Sequence, residues 1–151
     1  MERVGPGDVD ALRRFLRAAD LTVSGLDPST VDLWVTRDEH GAIIASTGYE
    51  LSSDTHHALL RSMAVAPAYR SAGLGTRLAR FTLRQAADDG AQSAWLFSRR
   101  SGPFWQRLGF APANREELVA SLGITHQVQL FTQTGQLHVE QAWQRPLSND
   151  V

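Results

Sequence analysis

The stretch Val65-Ala66-Pro67-Ala68-Tyr69-Arg70-Ser71-Ala72-Gly73-Leu74-Gly75 constrains this chain more than any other, because it joins a strand pattern to a helix pattern. Upstream, a run from about His57 to Val65 has strand chemistry and stops at Pro67. Downstream, Leu74 to Asp88 changes period: at about 100° per residue, Leu74, Leu78, Phe81 and Thr82 share one face while Arg77, Arg80 and Arg84 share the other. A helix start leaves backbone N–H groups unpaired, and glycines at 73 and 75 let a diphosphate approach without meeting a Cβ. Arg70 adds a charged donor. The same letters also suit a plain turn, in which Gly73 permits the bend, Gly75 permits close packing and Arg70 is solvated. The pattern is not a mononucleotide loop, since no Gly-Lys-Ser or Gly-Lys-Thr follows, and it lacks the third glycine of a dinucleotide fingerprint.

Around this junction the order of elements is regular. Val9, Leu12, Leu16 and Ala19 recur at helical spacing between Asp8 and Asp20. Strand chemistry follows over 31–36 and 42–45, separated by the polar turn 37–41, which predicts a hairpin leading into the 57–65 strand. After Asp88-Asp89-Gly90, Ala94 to Phe97 reads as a strand and Pro103 to Leu108 as a short helix ending at Gly109. Beyond Phe110, Arg115 to Leu122 reads as a helix, and Val128 to Phe131 with Gln136 to Trp143 as a hairpin turning at Thr134-Gly135. No repeat or linker separates independent halves, so one α+β domain over 1–151 is expected.

Composition removes several classes of function. The chain has 151 residues, 15 Lys+Arg against 16 Asp+Glu and no cysteine, so disulfides are excluded and a covalent staple is not needed at this size. The near-zero net charge argues against broad steering toward nucleic acid, and the arginine stripe of 77, 80 and 84, with Asp88 and Asp89 close by, suits a solvated helix face at least as well as a phosphate track. The opening residues lack a signal-peptide pattern and no segment approaches the apolar length of a membrane span, which predicts a soluble, cytoplasmic protein. The five histidines show no metal-ligand spacing, and His56 and His57, adjacent in a strand, point to opposite faces; no metal site is expected.

Arg70-Ser71-Ala72-Gly73-Leu74-Gly75 resembles the Arg/Gln-x-x-Gly-x-Gly/Ala signature of the Gcn5-related N-acetyltransferase (GNAT) superfamily. Val65 and Pro67 before it, and the later aromatic-x-x-x-Gly-Phe segment Trp105-Gln106-Arg107-Leu108-Gly109-Phe110, fit the same frame, and the order of elements agrees from Asp8 to Phe110. The resemblance implies an acyl-CoA N-acyltransferase fold in α/β/α layers, with a central mixed, mainly antiparallel twisted sheet flanked by helices. It implies that backbone at Met63, Ala64 and Val65 meets the pantetheine arm of acetyl-CoA, and that Arg70, Ser71, Ala72, Gly73, Leu74, Gly75 and Thr76 bind its pyrophosphate. Ala58 to Val65 together with Gly48-Tyr49-Glu50 looks like the arsenic-resistance N-acetyltransferase subgroup, although the tail around Thr125-His126-Gln127 and Phe131-Thr132-Gln133 lacks that subgroup's Cys-Pro ending.

The reaction so implied is acetyl transfer from acetyl-CoA to a neutral amine, with orientation and polarisation as the main catalytic tasks. Glu50, at a strand end, is the first candidate to accept the amine's proton, against the reading of a solvated surface charge. Arg61, a charge inside an apolar strand, is either an ion-pair partner or a donor to an anionic group of substrate or cofactor. Trp105 stands where the family's tyrosine commonly protonates the leaving thiolate, and Ser98 where an asparagine is common. Tryptophan cannot deliver that proton, so water or a group such as Ser101 takes the task, or transfer is slow or absent. Trp105 also suits packing with Phe104 and Phe110, which is compatible with a cofactor contact. The acceptor expected is a small-molecule amine, with an amino-acid analogue among the candidates. The alternatives are an acyl-CoA-binding regulatory module without productive amine geometry and a protein N-acetyltransferase. A homodimer is the expected assembly, with no symmetry fixed.

Overall fold

The computed structural model describes residues 1–147. Among the described residues there are seven strands and five helices, in the order β1 Glu2–Arg3, α1 Val9–Ala18, β2 Asp32–Arg37, β3 Ile43–Leu51, β4 His57–Val65, α2 Leu74–Asp88, β5 Ser93–Phe97, α3 Gly102–Arg107, β6 Ala111–Ala113, α4 Arg115–Leu122, α5 His126–Thr134 and β7 Ala142–Pro146. The sheet order is β1-β2-β3-β4-β5-β7-β6. β4 and β5 run parallel, whereas β1–β2, β2–β3, β5–β7 and β6–β7 are antiparallel, so the sheet is mixed and mainly antiparallel with helices flanking it. The chain forms two compact units, Met1–Glu50 with Leu60–Thr82, and Leu51–Leu59 with the chain from Leu83 onward.

In the first unit the helical spacing of α1 places Leu12 and Leu16 in a core with Val4, Leu26, Val31, Leu33 and Val35. Asp8 holds the start of α1 by accepting from the Gly5 amide (2.9 Å) and pairing with Arg37 (2.8 Å). β2 carries Trp34, which packs against Tyr49 and, edge-on, against Phe81 of α2, with the Arg3 guanidinium 4.7 Å from its centroid. The expected faces of α2 are present: Leu78 and Thr82 are buried, and Arg77, Arg80 and Arg84 are exposed. Thr82 donates to Leu78 O (2.7 Å), and its oxygen lies 2.5 Å from the Thr47 hydroxyl of β3, a buried polar pair that ties helix to strand.

Gly48 lets β3 lie close against β2. A Cβ there would lie 2.5 Å from Asp32 O and 2.6 Å from Leu33 Cδ2. Gly48→Ala is therefore expected to destabilise the protein by about 1–3 kcal/mol, the usual cost of overpacking. A urea unfolding midpoint indistinguishable from that of the parent chain would contradict this reading.

In the second unit Leu59, Trp95, Leu118, Leu122, Val128 and Ala142 form the core. The β3–β4 turn closes with Ser52 N donating to His57 O (2.9 Å). The Asp54 carboxyl in this turn is held below its usual range by the Ser52 hydroxyl and the His56 amide, both of which donate to it. Asn114 caps α4 by accepting from the Glu116 and Glu117 amides.

One expectation is corrected here. Val128 to Phe131 is not a strand but part of α5, and Gln136–Val139 is a 3-10 turn, so of the expected tail hairpin only Ala142 and Trp143 are extended, at the start of β7. Thr125 supplies the missing start signal, its hydroxyl accepting from Val128 N (3.4 Å). Gly135, at φ +76°, ends the helix as a left-handed cap and does not turn a hairpin. The burial of Val128 and Phe131, three apart, follows the helical period.

Candidate active site

The junction between β4 and α2 begins in the middle of β4. Ser62 has φ +61°, a left-handed conformation within an extended run. It is over-determined by its neighbours: Ser46 Oγ donates to its carbonyl (2.6 Å) and its own hydroxyl accepts from Arg61 Nε (3.0 Å). Past this bend, Met63, Ala64 and Val65 are half-buried. Ala66 N returns to Ile44 O (2.8 Å), and Pro67–Tyr69 make a single 3-10 turn.

Arg70 then folds back, Nε donating to Val65 O (3.0 Å), which ties its guanidinium to the end of the strand. Ser71 (φ +76°) and Gly73 (φ +77°) turn the chain into α2, and both are exposed. A Cβ built on Gly73 meets nothing within 4 Å. Arg77 N bonds to Gly73 O (3.2 Å), so the amides of Leu74, Gly75 and Thr76 precede the first bond of the helix ladder. An open turn, amides ahead of the helix ladder and a tethered arginine are the features through which a helix start can receive an anion.

Glu50 and Arg61 come together in the first unit. Arg61 Nη1 lies 3.0 Å from Glu50 Oε2, and the residues are 4% and 3% exposed. Arg61 Nη2 donates to Ser24 O (2.5 Å), so the whole guanidinium is engaged by protein. Burial pushes this guanidinium below its ordinary range and the adjacent Glu50 carboxylate pulls it back up; it remains charged. Of the readings open at the level of sequence, Arg61 is the ion-pair partner, and Glu50 is a buried carboxylate and not a solvated one. The sequence patterns did not foreshadow Ser24, Ser46 and Ser62; a serine in a loop or strand carries no signal of such a contact.

Ser101 and Trp105 belong to the second unit. Ser101 is exposed at the start of α3, its amide donating to Ser98 Oγ (3.1 Å) and its carbonyl accepting from Trp105 N (3.1 Å). Ser98 thus has a local structural task, reinforced by Trp143 Nε1 donating to its carbonyl (2.8 Å). Trp105 is 7% exposed and packs edge-on against Phe104 and Phe110, at 4.9 and 5.3 Å between centroids. Among the described residues no group of three or more His, Cys, Asp or Glu is placed to hold a metal ion, and no helix is long and apolar enough to cross a membrane.

Comparison with known proteins matches this architecture. The fold is similar to that of an acetyltransferase of the GNAT family from Staphylococcus aureus Mu50, with a TM-score of 0.73, 15% identity and 97% of both chains covered. It is equally similar to Rv2747 from Mycobacterium tuberculosis in complex with CoA and NLQ, with a TM-score of 0.73, 16% identity, and 97% of this chain and 98% of that chain covered. N-acetylglutamate synthase from Neisseria gonorrhoeae, complexed with coenzyme A and N-acetyl-glutamate, aligns over 98% of this chain and 34% of its own, with a TM-score of 0.71 and 14% identity. None of the curated proteins matches the chain in sequence. The seven-stranded, mainly antiparallel sheet with flanking helices is thus the acyl-CoA N-acyltransferase fold. The model of the Acetyltransferase (GNAT) family matches residues 10–110, more than half of the sequence and inclusive of the junction from Val65 to Gly75 and of Trp105 to Phe110, and the chain belongs to that family.

Proposed function

We propose that residues 1–151 act as a single N-acetyltransferase domain that moves the acetyl group of acetyl-CoA to the amine of a small molecule. The observation that carries this reading is the open start of α2: Gly73 has room around it, and the amides of Leu74, Gly75 and Thr76 precede the helix ladder. These groups and Arg70 suit the diphosphate of a coenzyme, and the half-buried backbone of Met63, Ala64 and Val65 suits its pantetheine arm. Acetyl-CoA supplies the activated acetyl group when bound. Glu50 is proposed to receive the proton of the attacking amine, directly or through water, and Arg61 to hold that carboxylate in place. Ser101, exposed at the start of α3, is proposed to assist the leaving group.

An amino-acid analogue is the acceptor class to assay first. It is supported by the N-acetyl-glutamate held by the Neisseria synthase. The resemblance of Ala58 to Val65 and Gly48-Tyr49-Glu50 to the arsenic-resistance N-acetyltransferases adds oxyanion-bearing amines to the panel. A homodimer is part of the proposal and is checked by mass in solution.

Calorimetric titration with acetyl-CoA and CoA, followed by a free-thiol assay over small amines, tests the reading. Sub-millimolar binding with turnover is expected. Binding without turnover favours the second reading, a non-catalytic acyl-CoA-binding module, which the packing of Trp105 between two phenylalanines supports. Absence of binding by folded protein removes both.

Gly73→Val tests the location of the site. A β-branched residue at φ +77° costs about 1–3 kcal/mol and reshapes the turn, so affinity for acetyl-CoA is expected to fall about tenfold while the fold survives. An unchanged Kd would place the diphosphate elsewhere.

A further inference from the structure

Arg61 serves three separate parts of the first unit from one buried side chain. Nη1 meets Glu50 Oε2 (3.0 Å) at the end of β3, Nη2 meets Ser24 O (2.5 Å) in the connection between α1 and β2, and Nε meets Ser62 Oγ (3.0 Å) at the bend of β4. A planar fork of donors makes such a three-way contact, whereas a lysine offers a single charged point. Stability alone is a poor reason to keep it, because replacing a buried ion pair by well-packed apolar groups is often neutral or stabilising. What the fork adds is shape. Ser62 is held left-handed from two sides, by Arg61 at its hydroxyl and by Ser46 at its carbonyl, directly before Met63, Ala64 and Val65.

Resting on the proposed acetyl transfer, we infer that Arg61 is a positioning residue, which fixes the bend at Ser62 so that the backbone of Met63 to Val65 holds the pantetheine arm, and with it the acyl group, in one orientation. Its role is separate from that of Arg70 to Thr76, which hold the diphosphate. Errors of about 1 Å at a reacting centre are enough to slow a step substantially, which gives the fork a kinetic consequence.

The test uses the full chain and two variants. Arg61→Lys keeps a charge for Glu50 but loses the fork, and Ser62→Ala removes the acceptor of Nε while leaving Arg61 and Glu50 in place. For each, kcat, KM for the acceptor, Kd for acetyl-CoA and Tm are measured beside the parent protein. Arg61→Lys is expected to lower kcat about tenfold, and Ser62→Ala to lower it by a smaller factor, with Kd for acetyl-CoA within about twofold of the parent. A merely structural role moves Tm and Kd together and leaves kcat of the folded fraction intact. Parental kcat in both variants overturns the inference, and if Arg61→Lys does not fold, Ser62→Ala decides alone. Failure of the underlying reading looks different: the parent chain itself then shows no acetyl-CoA binding or turnover, and the inference falls with it.

Discussion

Glu50→Ala is expected to destabilise the protein by about 3–5 kcal/mol, the range seen when one partner of a buried ion pair is removed. The size follows from what is left behind. Arg61 lies beneath the surface, with a side chain 0% exposed, and its guanidinium is never deprotonated in a folded protein. Without the carboxylate its charge keeps only the Ser24 carbonyl and the Ser62 hydroxyl among the contacts described above, neither of which carries a compensating charge. Urea unfolding at neutral pH reads the loss directly. The double replacement Glu50→Ala with Arg61→Met is expected to recover most of it, because both charges then leave together. A single-variant cost below about 1 kcal/mol is the range of an exposed pair and would show that water reaches the guanidinium.

Glu50→Gln addresses the chemistry. The amide keeps an oxygen that accepts from Arg61 but cannot take up a proton, so kcat is expected to fall by about 10²–10⁴-fold, the usual contribution of a positioned general base. Affinity for acetyl-CoA is expected to stay within about twofold, since the diphosphate contacts proposed above lie at 70–76 and not at 50. The measurement is steady-state turnover with saturating acetyl-CoA, at a temperature where both proteins are folded, followed by a single-turnover experiment that isolates the chemical step. A variant with kcat within threefold of the parent would leave Glu50 as the counter-charge of Arg61 and nothing more.

The elements that strong periodicity or a clear stop defines were legible in the sequence. β4, α2 and α4 have the bounds that their patterns indicate, because Pro67, Gly73 and Asn114 punctuate them. β1 and β6, of two and three residues, are too short to show a period, and their pairing with β2 and β7 comes from the sheet. In α5, the apolar run Val128 to Phe131 imitates a strand, and Thr134-Gly135 imitates a hairpin turn. Only the Thr125 cap distinguishes the helix, and it lies just outside that run.

The site divides in the same way. The proposed anion-binding turn is built from backbone and glycine, so its letters are local and stand together at 70–76. The Glu50–Arg61 pair is not local: each charge stands out inside an apolar strand, but their meeting depends on β3–β4 register, and the Ser24 contact spans 37 positions. Ser62 reads as an ordinary strand residue, and only tertiary hydrogen bonds hold it left-handed.

The turn over Gln136–Val139 is fastened unusually. Its own backbone bonds are long, 3.4 Å from His138 N and 3.3 Å from Glu140 N, while Arg115 Nη1 donates to the carbonyls of Leu137, His138 and Glu140. Glu140 in turn accepts from Arg99 and Gln136 side chains. A segment clasped by side chains can be released by rotamer changes alone, without unzipping a helix or a ladder. Its amides should therefore trade hydrogen for deuterium through brief, independent openings, well ahead of the neighbouring turns of α4 and α5, and the loop should act as the breathing point of the second unit.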